Sequence, residues 1–131
     1  MSKPTFFMGS TKGDIRNFPE QVRKDIGFAL YLAESGDRAI NSVPMTGFGN
    51  AMVPEIIVDH QGDTYRTVYT VQFKEAVYVL HAFMKKSKKG RSTPKREIEL
   101  VRQRLKGALA HYEATFGKRS KRQTNVSTQG R

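Results

Sequence analysis

The sequence contains no cysteine, so it can form neither a disulfide framework nor a thiolate metal site. This absence fits a reducing compartment such as the cytoplasm. No run of 18 apolar residues occurs, and the sequence pattern therefore excludes a transmembrane helix. Residues 1–4 lack the apolar stretch of a signal peptide. We therefore expect a cytoplasmic protein that has no membrane partner.

Acidic residues are scarce in the last third of the chain. The protein has 131 residues, which suits one domain, and a net charge of +11. Residues 1–83 carry 8 Lys and Arg against 9 Asp and Glu, whereas residues 84–131 carry 15 against 3, a balance of +12. Such asymmetry favours a polyanionic partner over a charged face that only aids solubility. Nucleic acid is the first candidate for that partner.

The motifs of several enzyme classes are also missing. The histidines at positions 60, 81 and 111 lie far apart and lack metal-ligand spacing. The sequence has no Gly-rich phosphate loop before a helix, no Gly-x-Ser-x-Gly elbow and no His-Glu-x-x-His motif. We therefore expect neither a metal ion nor another cofactor.

Hydrophobic periodicity predicts an α+β fold. Apolar residues recur at helical spacing between Val22 and Ala33, after a possible cap at Asn17. Gln61-Gly62-Asp63 predicts a turn between the first two of the three later strands, and the short links between these strands imply an antiparallel meander. A basic tail, residues 118–131, follows the domain formed by residues 1–117, and we expect this tail to be disordered. The predicted elements are a strand at 4–9, a helix from 17 to about 34, strands at 53–59, 65–71 and 76–84, and a helix from Thr93-Pro94 to Gly117.

A mid-strand arginine is the first candidate site residue. Strand alternation places Tyr65, Thr67 and Tyr69 on one face, and Arg66 with Val68 on the other. Arg66 could be paired with a nearby carboxylate such as Glu55, because buried arginines are usually paired. It could instead present its guanidinium fork to a phosphate from a rigid sheet.

A basic run from Lys85 to Arg91 follows the last predicted strand. It could be a solvated charge run, or it could bind an RNA backbone and neutralise charge that develops during phosphodiester cleavage. His81 could be a general base or a satisfied, partly buried histidine, and the latter is the commoner case. The residues expected to contact RNA are Lys74, Lys88, Lys89 and Arg91.

Several segments together resemble the HigB-type, phage-derived branch of the RelE/ParE toxins. The resemblance covers about residues 4–116, and the order and spacing of its motifs carry it. The matching segments are Phe18–Val22 with Ile26-Gly27, Met45–Gly49, Glu55-Ile56, Tyr65–Tyr69, Tyr78–Ser87, Thr93-Pro94 and Arg102–Leu105.

The resemblance implies a RelE-like fold, in which an antiparallel β-sheet packs against N-terminal helices and is followed by a C-terminal helix. It implies the toxin of a type II toxin–antitoxin pair. Such toxins cleave mRNA on the ribosome without a metal, by attack of a 2′-hydroxyl on the adjacent phosphate. The implied partners are mRNA, ribosomal RNA and a helix-turn-helix antitoxin.

The resemblance also implies site residues. Arg66 matches the family's strand arginine, and Lys85 with Lys86 matches the paired basic residues after the strand. Three further residues are candidates for proton transfer, namely His81, Tyr69 and Glu55. On this basis Arg66→Ala is expected to abolish growth arrest and leave the fold intact.

Two other functions stay open. A ParE-like inhibitor of DNA gyrase would share the fold but would need no ribonuclease residues. A phage or mobile-element protein could also bind nucleic acid without catalysis. Codon-positioned RNA cuts after induction would favour the ribonuclease, and DNA damage without cuts would favour the gyrase inhibitor.

Overall fold

The structure is a computed structural model. It describes residues 2–45, 47–48, 52–86 and 93–129, with side chains as far as Gly117. The chain forms five strands and three helices within these residues. In chain order they are β1 (Thr5–Phe7), α1 (Thr11–Arg16), α2 (Glu20–Glu34), β2 (Ser42–Pro44), β3 (Pro54–His60), β4 (Asp63–Thr70), β5 (Val77–Lys85) and α3 (Lys95–Gln129).

The five strands form one mixed sheet in the order β1-β5-β4-β3-β2. The predicted α+β class and the antiparallel meander are confirmed, because β3, β4 and β5 pair antiparallel with their neighbours. The sheet is not wholly antiparallel, however, because β1 pairs parallel with β5. This parallel pair forms between the first and last strands, with both N-terminal helices in the intervening chain, as a parallel connection requires.

The turn between β3 and β4 fixes the register of the meander. Gln61 and Gly62 both have positive φ, at 51° and 88°. Two such residues make the tight hairpin whose twist matches the flanking strands. The turn predicted at Gln61–Asp63 is therefore confirmed, and it pairs His60 with Asp63.

Helices cover both faces of the sheet, and each encloses a separate core. The apolar stripe of α2 packs against Tyr65 and Tyr69 on one face. The stripe of α3, which includes Val101 and Ala108, packs on the other face against Val68 and its neighbours. The predicted alternation along β4 is therefore confirmed, since the even and odd positions face different helices.

Three local features differ from the sequence-based expectations. Residues 11–16 form the short helix α1, and Asn17 lies at its C-terminal end. Pro19 precedes α2 instead, with a φ of −56° that suits the entry to a helix. Residues Ser42–Pro44 form an edge strand where no strand was predicted, and an edge position tolerates proline.

The helix α3 continues past Gly117 to Gln129. The stop predicted at Gly117 is therefore wrong for the backbone. Side chains beyond this glycine lie outside the described residues, and the disorder of the tail stays a prediction. Within the part of the chain that the structure describes, no helix is long and apolar enough to cross a membrane.

Candidate functional site

The candidate site lies on the sheet face that the first turns of α3 overlie. Partners in adjacent antiparallel strands point to the same face, so the register of β3, β4 and β5 orders their side chains in rows. Arg66 lies at the centre of the middle row. The three rows are Asp59–Thr64–Lys85, Ile57–Arg66–Phe83 and Glu55–Val68–His81.

Arg66 forms a buried ion pair with Glu55. Its Nη1 donates to Oε1 of the glutamate at 3.0 Å, and the two side chains are only 10% and 5% exposed. The second oxygen of Glu55 accepts a hydrogen bond of 3.3 Å from Thr93, just before α3. The sequence left two interpretations of Arg66 open, and the structure shows the one in which the arginine is paired with Glu55. Both oxygens of Glu55 are therefore engaged.

His81 connects β5 to α3. Its Nε2 lies 2.6 Å from Oε1 of Glu97, and its Nδ1 lies 3.4 Å from Nη1 of Arg104. Because a guanidinium can only donate, Nδ1 accepts the hydrogen bond from Arg104, and the N–H at Nε2 donates to Glu97. The histidine is 7% exposed and has a partner at each nitrogen, as expected for a satisfied, partly buried histidine.

Arg104 holds this corner of the site together. Its Nη1 also donates to the carbonyl oxygen of Leu80 at 3.1 Å. Its guanidinium lies against Gly9, where an added Cβ would come within 2.8 Å of it. Gly9 also has a φ of +56°, which glycine adopts readily. One arginine of α3 therefore contacts both β5 and the turn before α1.

Phe83 and the two lysines after it lie at the outer end of β5. Phe83 is half-buried and stacks on the ring of His81, with ring centroids 4.9 Å apart. Lys85 is half-buried on the same face as Arg66, whereas Lys86 is exposed just after the strand. Of the two lysines only Lys85 lies on the candidate face, since alternation allows only one of them there.

Tyr69 does not join this group, because it lies on the opposite face of the sheet. Its hydroxyl is 2.8 Å from Oγ of Ser42. Burial raises the pKa of Tyr69, and the Ser42 hydrogen bond and the charge of Arg38 oppose that rise. The residue borders a cavity of about 210 Å³ with Lys3 and Arg38.

The remaining predicted RNA contacts are scattered or undescribed. Lys74 is exposed in the turn between β4 and β5, at the end of the sheet far from Lys85. Lys88, Lys89 and Arg91 lie outside the described residues. The structure therefore brings Arg66, Glu55, His81 and Lys85 onto one face and leaves Lys74 and Tyr69 elsewhere. The catalytic or binding role of each of these residues stays a prediction.

Sequence reasoning missed Glu97 and Arg104. The two residues are seven positions apart and therefore lie on one face of α3. Their spacing matches that of the apolar residues Val101 and Ala108, which are fully buried. The sequence signal that could have identified them is a charged residue at the same helical spacing as the apolar stripe. Among the described residues, no three His, Asp or Glu side chains converge so that they could hold a metal ion.

Fold and site together define a small, basic α+β protein with an ion-paired polar face on its sheet. The chain belongs to the phage-derived protein Gp49-like family (DUF891), whose model matches residues 13–106. This is a RelE/HigB-like toxin family, so the resemblance is confirmed at that level, while the HigB-type branch stays a prediction. A comparison with curated proteins gave no match.

Proposed function

We propose that this protein is the toxin of a type II toxin–antitoxin pair and cleaves mRNA on the ribosome. The observation that carries the proposal is the gathering of Arg66, His81 and Lys85 on one sheet face, at the end where the basic third of the chain begins. Membership of a RelE/HigB-like toxin family supports it. The proposal places the protein in the cytoplasm, where its substrate is.

The proposed reaction is transesterification without a metal. The 2′-oxygen of one nucleotide bonds to the adjacent phosphorus and loses its proton to a base. The bond to the 5′-oxygen breaks, and that oxygen takes up a proton. The products are a 2′,3′-cyclic phosphate and a 5′-hydroxyl. Extra negative charge develops on the phosphoryl oxygens, and nearby cations stabilise it.

The contribution that we assign to this face is electrostatic. Lys85 and Arg66 lie in adjacent rows of the register, so both cations can act on a phosphate lying over the rows. Glu55 holds the guanidinium of Arg66 in place and also offsets part of its charge. Both cations therefore contribute to the positive potential of this site, and the ion pair with Glu55 fixes the position of the guanidinium of Arg66.

Proton transfer would need a local exchange of partners. His81 would have to release Arg104 before Nδ1 could accept a proton. Glu55 would have to release Thr93 before Oε2 could act as a base. One exchange involves Thr93, just before α3, and the other involves Arg104, nine residues after the helix begins, so the two groups would be freed separately.

We also propose a helix-turn-helix antitoxin as the partner that blocks this face. This face adjoins the basic run that begins at Lys85, which an acidic segment of the antitoxin would complement. The test is co-expression with the product of the neighbouring reading frame. A stable complex and restored growth are expected, and Lys85→Glu should weaken the complex in proportion to its effect on RNA cleavage.

A second candidate is a nucleic-acid-binding protein without catalysis. The observation that favours it is that Arg66, Glu55 and His81 are each held in buried pairs. Such pairs are structural in many proteins, and removing a partner is destabilising. Under this candidate the basic face binds RNA and no bond is cleaved.

The deciding experiment is primer extension on cellular mRNA after induction of the toxin. Codon-positioned cuts are expected for the wild type. Lys85→Ala should reduce cutting about tenfold or more, the scale for removing one charge-stabilising group. Lys24→Ala is the matched control, because this exposed lysine lies on α2 beyond the other face of the sheet.

Three outcomes would contradict the proposal. DNA damage without RNA cuts would point to a gyrase inhibitor. Growth without cuts would favour the non-catalytic candidate. Cleavage by the Lys85→Ala variant at the wild-type rate would show that this face is not part of the catalytic site.

A further inference from the structure

Phe83 is an aromatic residue that neither core uses. The six preceding residues of β5 are all buried, whereas Phe83 is half-buried. Among the described side chains, many partly buried hydrophobic residues pack against the two apolar clusters, but Phe83 belongs to neither cluster. Its ring stacks on that of His81, with an interplanar angle of 22°. A large aromatic side chain normally contributes to a core or an interface, and this one contributes to no core.

The surroundings of Phe83 are charged. Arg66 lies directly across from it on β4, and Lys85 follows two residues later on the same face. Neighbouring strands are about 4.8 Å apart and alternate residues about 7 Å apart. Cations therefore lie within one side-chain length of the ring on two sides. A wholly apolar partner would leave these charges desolvated, which is unfavourable.

We propose that Phe83 is a platform on which one unpaired base of single-stranded RNA stacks, while Lys85 contacts the adjacent phosphate. The inference rests on the proposed function and adds a base-binding position to it. Single-stranded nucleic acid combines a flat base with a negative charge at each nucleotide, and the proposed function makes RNA the substrate. Aromatic side chains on sheets flanked by cations bind unpaired bases in this way. His81 supports the platform from behind by stacking on the ring.

Tryptophan fluorescence can report this stacking directly. The chain contains no tryptophan, so Phe83→Trp introduces a single reporter at the site. Phe28→Trp is the matched control, because Phe28 is 60% exposed on α2, the helix that covers the opposite face. The probe is a 2′-O-methyl RNA octamer, which lacks the attacking hydroxyl and therefore cannot be cleaved by it. An octamer without bases has the same charges and no ring to stack.

The expected result is strong quenching of Phe83→Trp by the octamer, and none by the baseless chain at equal occupancy. Phe28→Trp should show no quenching with either. Occupancy is measured by the anisotropy of a label on the RNA. In the same assay, Phe83→Leu should weaken binding of the octamer by about 5- to 150-fold, the range for one base stacked on an aromatic ring. Its affinity for the baseless chain should be unchanged.

Binding of the octamer without quenching, together with an unchanged affinity of Phe83→Leu, would overturn the platform and leave the proposed function standing. Equal loss of affinity for both octamers would also overturn it, since that pattern marks a general disturbance of the face. Absence of binding at low salt would overturn it as well. In that case the mapping of cuts in cells decides whether the proposed function fails too.

Discussion

The buried pair of Arg66 and Glu55 allows a decisive double-mutant cycle. The perturbation is Arg66→Met, Glu55→Leu, and the two changes combined. Each single change leaves one charge on a side chain that is at most 10% exposed. Breaking a buried ion pair from one side costs about 3–5 kcal/mol. Replacing both partners by apolar residues of similar volume is often neutral.

The expected loss of stability is large for a domain of this size. A protein of this length has a free energy of unfolding of about 5–15 kcal/mol, so one single change removes a large share of it. The melting temperature should fall by about 10–20 °C in each single variant. The double variant should regain most of this loss, with a coupling energy of about 3 kcal/mol or more.

Urea unfolding followed by circular dichroism measures all three variants. If the two single effects simply add in the double variant, the pair does not stabilise the fold as argued. The cycle also tests the expectation that Arg66→Ala leaves the fold intact. Lost toxicity in that variant could reflect unfolding alone. A folded double variant that is still toxic would show that the activity needs neither the guanidinium of Arg66 nor the carboxylate of Glu55.

Three further predictions concern single contacts. Gly9→Ala should destabilise the protein by about 1–2 kcal/mol more than Gly36→Ala, because both have positive φ but only Gly9 lies against a guanidinium; equal losses would contradict this. Burial, helped by the nearby Tyr112, raises the pKa of Tyr78 to about 12, so the folded state keeps a proton that the unfolded state loses above pH 10. Stability should therefore be full below pH 10 and fall by about 2–3 kcal/mol towards pH 12, whereas Tyr78→Phe should flatten this decline in alkaline urea titrations. Glu97→Ala should cost about 1–3 kcal/mol, while exposed Glu99→Ala on the same helix should change the midpoint of urea unfolding little; equal effects would refute a role for the contact with His81.

Much of the fold could be predicted because its signals are local. The tight turn at Gln61-Gly62 and the alternation along β4 depend on neighbouring residues, and both were confirmed. The parallel pairing of β1 with β5 could not be predicted in this way. It joins residues more than 70 positions apart, and no local pattern specifies such a partner.

The site was only partly predictable for a similar reason. Arg66 and Glu55 could be proposed as partners because both lie in predicted strands of one meander. The link between His81 and Glu97 depends on where α3 crosses the sheet. The packing of the apolar stripe determines where α3 crosses the sheet. The sequence reveals the stripe by its periodicity, but that periodicity is the same wherever on the sheet the helix packs.

The sheet face beneath α3 carries apolar and polar contacts side by side. Tyr78 and Leu80 belong to the same apolar cluster as Val101 and Ala108 of the helix. Hydrogen bonds join Glu55 and His81 to Thr93, Glu97 and Arg104. The apolar cluster holds the helix on the sheet by burial, which does not depend on the polar partners. The polar contacts can therefore exchange, one for another or for a phosphate, while the helix stays docked. Under the proposed function, a site built in this way would keep its buried charges paired until RNA arrives and would require no unfolding to release them.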